Sequence, residues 1–279
     1  MRGRTRISSS FLVLLMACLV VPDAAAQGVA SVASVPAANP GRPTVTTPAT
    51  LTAVGYLQFE TGGIQAWTSP EFQTRLAMNE TVKLNLAPRW QALFVSDPAA
   101  RYKVNDQASA GLACYFLGAQ AVGHSGQGAN PTVAASYLRR VFDGPAPELD
   151  YGSPIDSLLL LASADVMGFH YDTNAIFNRM AQNAVHRAQF GQTLSISHPV
   201  TKRLVVSGEI WHFTQPYLHG NAIGNLWALG YEQRKNLVWD AGFNRGLTGT
   251  STRWEVFAGF TYLLPRRLWR PSGRIHEQE

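Results

Sequence analysis

His170, Asp172 and Asn174 occupy every second position of one segment. Glu209 shares such a row with Ser207, and Asp240 shares another with Asn244. Arg75, Lys83, Arg187 and Arg253 stand in comparable alternating rows and carry the opposite charge. Imidazole, carboxylate and guanidinium groups can move protons, ligate metals or set up a field across a confined space. Spacing discriminates among these. His212 and His219 bracket WHFTQPYLHGN, which is neither H-E-x-x-H nor another reliable ligand spacing, and no G-x-S-x-G occurs. The two cysteines, Cys18 and Cys114, form no CxxC pair. The sequence therefore implies no catalytic residue, no metal site and no cofactor. It leaves the third chemistry, a charged and polar wall, and the question of what element carries it.

That element is a strand. In RWEVFAGFTYLLP (253–265), Trp254, Val256, Ala258, Phe260, Tyr262 and Leu264 make an unbroken apolar row, and the intervening row is mixed. Period-two alternation marks a strand with two different faces. Residues 72–86 separate Arg75, Ala77, Asn79, Thr81, Lys83 and Asn85 from Leu76, Met78, Val82, Leu84 and Leu86, with Glu80 breaking the apolar row. The same pattern predicts twelve strands: 51–60, 72–86, 89–96, 106–118, 131–141, 155–164, 167–177, 186–198, 202–213, 221–232, 236–244 and 252–264. Short and longer connections alternate between them, except at 119–130, which is Gly-, Ser- and Gln-containing where a short turn is expected.

The first residues bear on where such a chain resides. Arg2, Arg4 and Arg6 precede an apolar run from Phe11 to Val21, and Ala24-Ala25-Ala26 supplies an A-x-A site, so 1–26 reads as a cleaved signal peptide. A lipobox ending at Cys18 is the competing reading of the same run. Residues 27–48, rich in Ala, Val, Ser, Pro and Thr, read as a flexible or extended periplasmic lead-in, and 266–279 as a polar tail. The net charge of +5 falls to +3 without Arg2, Arg4, Arg6 and Asp23, and four arginines lie in the tail, so the body offers nothing to nucleic acid.

Alternation alone fits a soluble sandwich as well as a barrel in lipid. Three features favour the barrel. Strands of about 10–13 residues exceed those of soluble sheets and suit a tilted crossing. Charged residues are only 15% of the chain, against about 25% in ordinary soluble proteins. Tyr56, Trp90, Tyr115, Tyr137, Trp227, Trp239, Trp254 and Tyr262 fall in or at the ends of strands, as interfacial girdles require. The expected architecture is all-β: a transmembrane antiparallel up-and-down β-barrel of twelve strands over 49–265. Arg75, Lys83, His170, Asp172, Asn174, Arg187, Glu209, Asp240, Asn244 and Arg253 would then face the lumen, because charge at mid-depth on the lipid face costs about 2–4 kcal/mol for Arg or Lys.

The runs RPTVTTPATLTAVGYLQFETG, SPEFQTRLAMNETVKL, RAQFGQTLSISHPVTKRL, GEIWHFTQPYLHGNAIGNLWAL and DAGFNRGLTGTSTRWEVFAGFTYLLP resemble the MetA-pathway-of-phenol-degradation family of bacterial outer-membrane transporter-like proteins, over about 42–265. The resemblance implies a barrel that passes small, aromatic or weakly polar molecules and carries no catalytic residues. A non-transporting structural or adhesive barrel, and a barrel-wall hydrolase, are the alternatives. The partners expected are membrane lipid, the outer-membrane assembly machinery and a small-molecule solute, with no nucleic acid; nothing in the sequence sets an oligomeric state.

The closing stretch also resembles the C-terminal assembly signal of bacterial outer-membrane proteins, through Gly259, Tyr262 and Leu264. An unclosed barrel strands peptide groups in hydrocarbon at several kcal/mol each. Tyr262→Asp is therefore expected to lower the folded, heat-modifiable fraction on gels sharply. Deletion of 270–279 is expected to leave it unchanged, and the reverse pattern would misplace the last strand.

Overall fold

Strand edges cannot be left open in lipid, and alternating residues must part company on the two faces of a closed wall. The structure, a computed structural model, describes residues 35–150, 152, 154–182 and 185–269. The expected signal peptide (1–26), residues 27–34 and the part of the expected tail from 270 lie outside the described residues. Thirteen strands follow one another: β1 (Leu57–Trp67), β2 (Thr74–Ala87), β3 (Trp90–Val104), β4 (Gln107–Gly111), β5 (Tyr115–His124), β6 (Thr132–Phe142), β7 (Pro154–Val166), β8 (Phe169–Gln182), β9 (Val185–Pro199), β10 (Leu204–Gln215), β11 (Gly220–Arg234), β12 (Leu237–Gly246) and β13 (Trp254–Leu263). Neighbours in the chain pair antiparallel, and β1 pairs with β13 from Gln58↔Leu263 to Trp67↔Trp254. Twelve strands close the wall. The extra one, β4, extends β3 as a hairpin, and β5 then takes β4's place beside the lower part of β3.

The predicted strand 106–118 is thus two strands, β4 and β5, and the anomalous connection 119–130 shrinks to 125–131 because β5 runs on to His124. Asn105 and Asp106, both at positive φ, make the two-residue hairpin between β3 and β4. Met167 and Gly168 do the same between β7 and β8. Positive φ at both central residues is what matches a tight turn to the twist of its strands. The first strand also moves: the predicted 51–60 becomes 57–67, and residues before Tyr56 leave the wall altogether.

Side-chain rows follow the alternation. Leu76 is 53% exposed and Ile210 62%, whereas Arg75, Gln58 and Gln189 are 0% exposed. Trp227, Leu229, Trp239 and Val256 are likewise outward and exposed, while Lys83, Asn85 and Thr261 are buried inside. Glu80 falls on the outward row of β2, in register with Thr61 and Ser96, beside a bulge between Met78 and Glu80. Single cysteines test the assignment. A lipid-soluble maleimide is expected to label Leu84→Cys in membranes at least several-fold faster than Asn85→Cys, and equal labelling would reverse the faces.

Candidate permeation pathway

A chain segment with no strand partner must find acceptors for its peptide N–H groups elsewhere. Residues 35–56 do so inside the barrel. The segment starts at the turn end, where Ala38 N donates to Lys235 O (2.7 Å), and Asn39 N donates to Gln58 Oε1 (2.8 Å). Gly41 N reaches Glu60 Oε1 (3.0 Å). Arg42 spans the closing seam: its Nη1 donates to Asn79 Oδ1 (2.7 Å) on β2, and its Nη2 to Asp240 Oδ1 (3.1 Å) on β12. Gly62 and Gly259, paired across β1 and β13, make room for it, since a Cβ at either would collide with the guanidinium.

The chain then crosses to the opposite wall. Glu209 accepts from Val45 N, Thr46 N (both 2.9 Å) and Thr46 Oγ1 (2.8 Å). Asn174 brackets Thr47, accepting from its N at 2.7 Å and donating to its O at 2.8 Å. Ser163 Oγ accepts from Ala49 N (2.7 Å), and Gln120 Nε2 donates to Pro48 O (3.0 Å). Thr52 N and Oγ1 donate to Gln91 Oε1 (3.1 and 2.9 Å), and Asn85 donates to Thr52 O. Asn39 Nδ2 meets Thr50 O at 2.9 Å, so the two limbs of the segment touch. Below them, Arg267 donates to Val54 O and Leu268 N to Gly55 O.

At the loop end a second segment folds inward. Ala146, after β6, packs on Ala77, Ala100 and Ala113, and Leu149 packs with Ile64, Phe72, Leu226 and Phe257. Alanines opposite one another leave the width this loop needs. Asp150 Oδ1 accepts from Thr252 N (2.6 Å) and Thr252 Oγ1 (3.0 Å). Arg75, fully buried, pairs with Asp97 beneath it. Between the two infolded segments lies a cavity of about 330 Å³. Its lining joins polar groups, among them Arg42, Asn79, Lys83, Asn244 and Glu255, to Trp211, Phe213, Leu226 and Phe257. Glycines set the aromatic rings against the wall: a Cβ at Gly191 would strike Phe213, and one at Gly224 would strike Trp211. Trp211 Nε1 donates to Asn244 Oδ1 at 2.9 Å.

The structure brings most of the sequence-selected residues to the inner face but not to one place. Lys83, Asn174, Glu209 and Asp240 hold the lead-in directly or through Glu60, with which Lys83 pairs. Asn244 belongs to the cavity wall, and Arg75 is buried with Asp97 on the inner face. His170 lies at the turn end between Asp165 (2.7 Å) and Asp172 (3.2 Å). Ser163 donates to the other oxygen of Asp172. The carboxylate separates hydroxyl from imidazole here, so His170 cannot take the Ser163 proton as a triad base would. Arg187 is exposed at the loop end, donating to Pro216 O and lying 5.3 Å from the Tyr217 ring centroid. Arg253 precedes β13 and is exposed. Gln58, Glu60, Gln91, Gln120 and Ser163 carry no distinguishing mark in their type. Each is a polar residue on an inward row, which is the signal available. Arg42 had a weaker one, a single charge between Gly41 and Pro43 in a nearly uncharged stretch.

No protein-family model and no curated protein matches the chain. Solved structures do match, and two of them show the likeness. The COG4313 outer membrane channel from Pseudomonas putida F1 aligns over 76% of this chain and 97% of its own, at 11% identity and a TM-score of 0.54. The NanC porin aligns over 74% and 98%, at 8% identity and a TM-score of 0.53. This is an outer-membrane β-barrel fold. The likeness lies in the backbone of the barrel, and the resemblance of the sequence runs to the phenol-degradation family has no family-model match beside it.

Two carboxyls of the infolded loop titrate in an accessible range. Burial pushes Glu148 up to about 7, with Asp97 adding to the shift and Arg75 and Cys114 opposing it. Burial pushes Asp150 up to about 6, against the hydrogen bonds from Thr252. Glu71 nearby is raised too, by burial and then by Asp150. A raised carboxyl pKa means the docked loop binds protons more tightly than the free loop. Docking is then strongest below about pH 4 and weakens as pH rises through 4.5 to 7 for Glu148 and 3.8 to 6 for Asp150. Amide exchange over 143–150, corrected for intrinsic rates, is expected to be faster at pH 8 than at pH 5. Glu148→Gln together with Asp150→Asn is expected to flatten that difference.

Proposed function

We propose that this barrel is a bacterial outer-membrane channel for small, aromatic or weakly polar molecules, exported by a cleaved signal peptide, with its own lead-in lying across the lumen. The observation that carries this reading is the cavity between the lead-in and the infolded loop. It is large enough for a single-ring compound, at the low end of ligand sites of roughly 300–1,000 Å³. Its walls offer both apolar surface and hydrogen-bonding groups. A lumen meant only to be filled gains nothing from such a chamber.

The lead-in is held chiefly by side chains of the inner wall and not by a strand ladder or a disulfide. The ion pairs of the inner wall are internally matched, Arg42 with Asp240 and Lys83 with Glu60. Selectivity among small ions is accordingly weak, and the rim cation Arg187 contributes a small anion bias.

Liposome swelling with small sugars and phenolic solutes, alongside planar-bilayer recording, tests the reading. Glu209→Ala strands the Val45 and Thr46 donors, at about 1–3 kcal/mol for each group left unpaired. That variant is expected to stay heat-modifiable and to raise swelling rate and open fraction several-fold over wild type. Arg187→Ala is expected to shift the reversal potential modestly toward cations. A folded protein that passes no solute with or without Glu209 is a non-transporting barrel.

A further inference from the structure

The upper part of the cavity holds a carboxylate that the fold does not use. Glu255, on the inner face of β13, is 7% exposed and lines the cavity. No hydrogen bond reaches its side chain and no cation lies within ion-pair distance among the described residues. Leaving a carboxylate buried without a partner is expensive, and structures normally pair or bond it. Every nearby cation has been taken: Arg75 by Asp97, Arg42 by Asp240, Lys83 by Glu60. Glu148 Oε1, also on the cavity lining, is buried with no hydrogen-bond partner, and Asp150 stands beside it on the same loop.

Apolar surface lies next to this charge. Glu255 is in register with Asn244, whose Oδ1 receives the Trp211 indole N–H, and Phe257 follows two residues along the same inward row. Phe213 packs near Trp211, with ring centroids 6.2 Å apart.

We propose that the cavity is a binding site for a small organic cation, an amine or quaternary ammonium on a single apolar or aromatic body. The charged end meets Glu255 and Glu148, and the body lies among Trp211, Phe213, Leu226 and Phe257. Aromatic rings attract such cations through their quadrupoles, most strongly where water is excluded. This inference rests on the channel reading for the passage of such a ligand, and on the cavity alone for its binding.

The charged groups lining the site are Arg42 on the lead-in, Glu60 on β1, Lys83 on β2, Glu148 and Asp150 on the loop, and Glu255 on β13, with the Arg75–Asp97 pair and Glu71 beyond the lining. Ionisation of the loop carboxyls loosens the empty loop but favours a bound cation, whose charge offsets that loosening, so affinity rises as pH is raised from 5 to 8.

The test is binding of phenethylammonium to the purified full-length mature barrel in detergent, by calorimetry, with 2-phenylethanol and phenylacetate as neutral and anionic counterparts of the same body. The cation is expected to bind at least tenfold tighter than either, and tighter at pH 8 than at pH 5. Glu255→Gln, if still heat-modifiable, is expected to remove that preference while changing 2-phenylethanol affinity less than twofold. Glu148→Gln is expected to weaken the cation alone, and serves where the Glu255 variant does not fold. Equal affinities for the three compounds, or an unchanged preference in both variants, overturns the proposal. Swelling reports separately on the channel: solute passage without cation preference sinks this inference and spares the channel, and cation binding without passage does the opposite.

Discussion

Peptide groups without partners are the constraint from which this structure follows. In the wall they are satisfied by strand pairing, and because no edge can face hydrocarbon the ladder has to return on itself, β13 onto β1. Residues 35–56 face the same requirement with no strand left to join. Their solution is to use side chains of the inner rows as surrogate partners: Gln58, Glu60, Gln91, Gln120, Ser163, Asn174 and Glu209 each meet a backbone group of the segment. One requirement thus explains why the barrel closes and why its interior is rich in amide and carboxylate side chains.

The wall was legible in the sequence because its faces differ so sharply. In β2 and β13 the assigned inward and outward residues lie as alternation places them, Arg75 and Lys83 inward, Leu76 and Val256 outward. Strand ends were less legible. Period two says nothing about where a ladder stops, so β1 was placed too early, and the change of partner between β4 and β5 left no mark in a continuous alternating run. Glu80 breaks the apolar row in sequence and does so in the structure, where it is in register with Thr61 and Ser96 on the outward face.

The interior was legible only in part, for a physical reason. Alternation identifies which residues look inward but not what they meet there. Alternation places Glu209 and Asn174 on the wall, yet their partners lie more than a hundred positions away in a stretch with no period. Nor could spacing show that Glu255, in the mixed row of the last strand, would be left without a partner while Asp240 gained Arg42. Contacts of that kind depend on how the ring of strands is closed. Nor does the sequence show that Gly191 and Gly224 seat Phe213 and Trp211.

The route of the lead-in has a mechanical consequence. It begins at the turn end near Lys235, arcs past Asp240, Glu209 and Asn174, and returns beside its own Asn39 and past Gln91 to the start of β1. A tension applied to its free end from the turn side therefore loads its hydrogen bonds one after another, as in peeling. The strands of the wall, pulled along their length, share the load across whole ladders. The two responses differ greatly in the force they require. About 70 Å of chain, at ~3.3 Å per extended residue, can be drawn out before the pull reaches β1, so the interior yields to force long before the wall does.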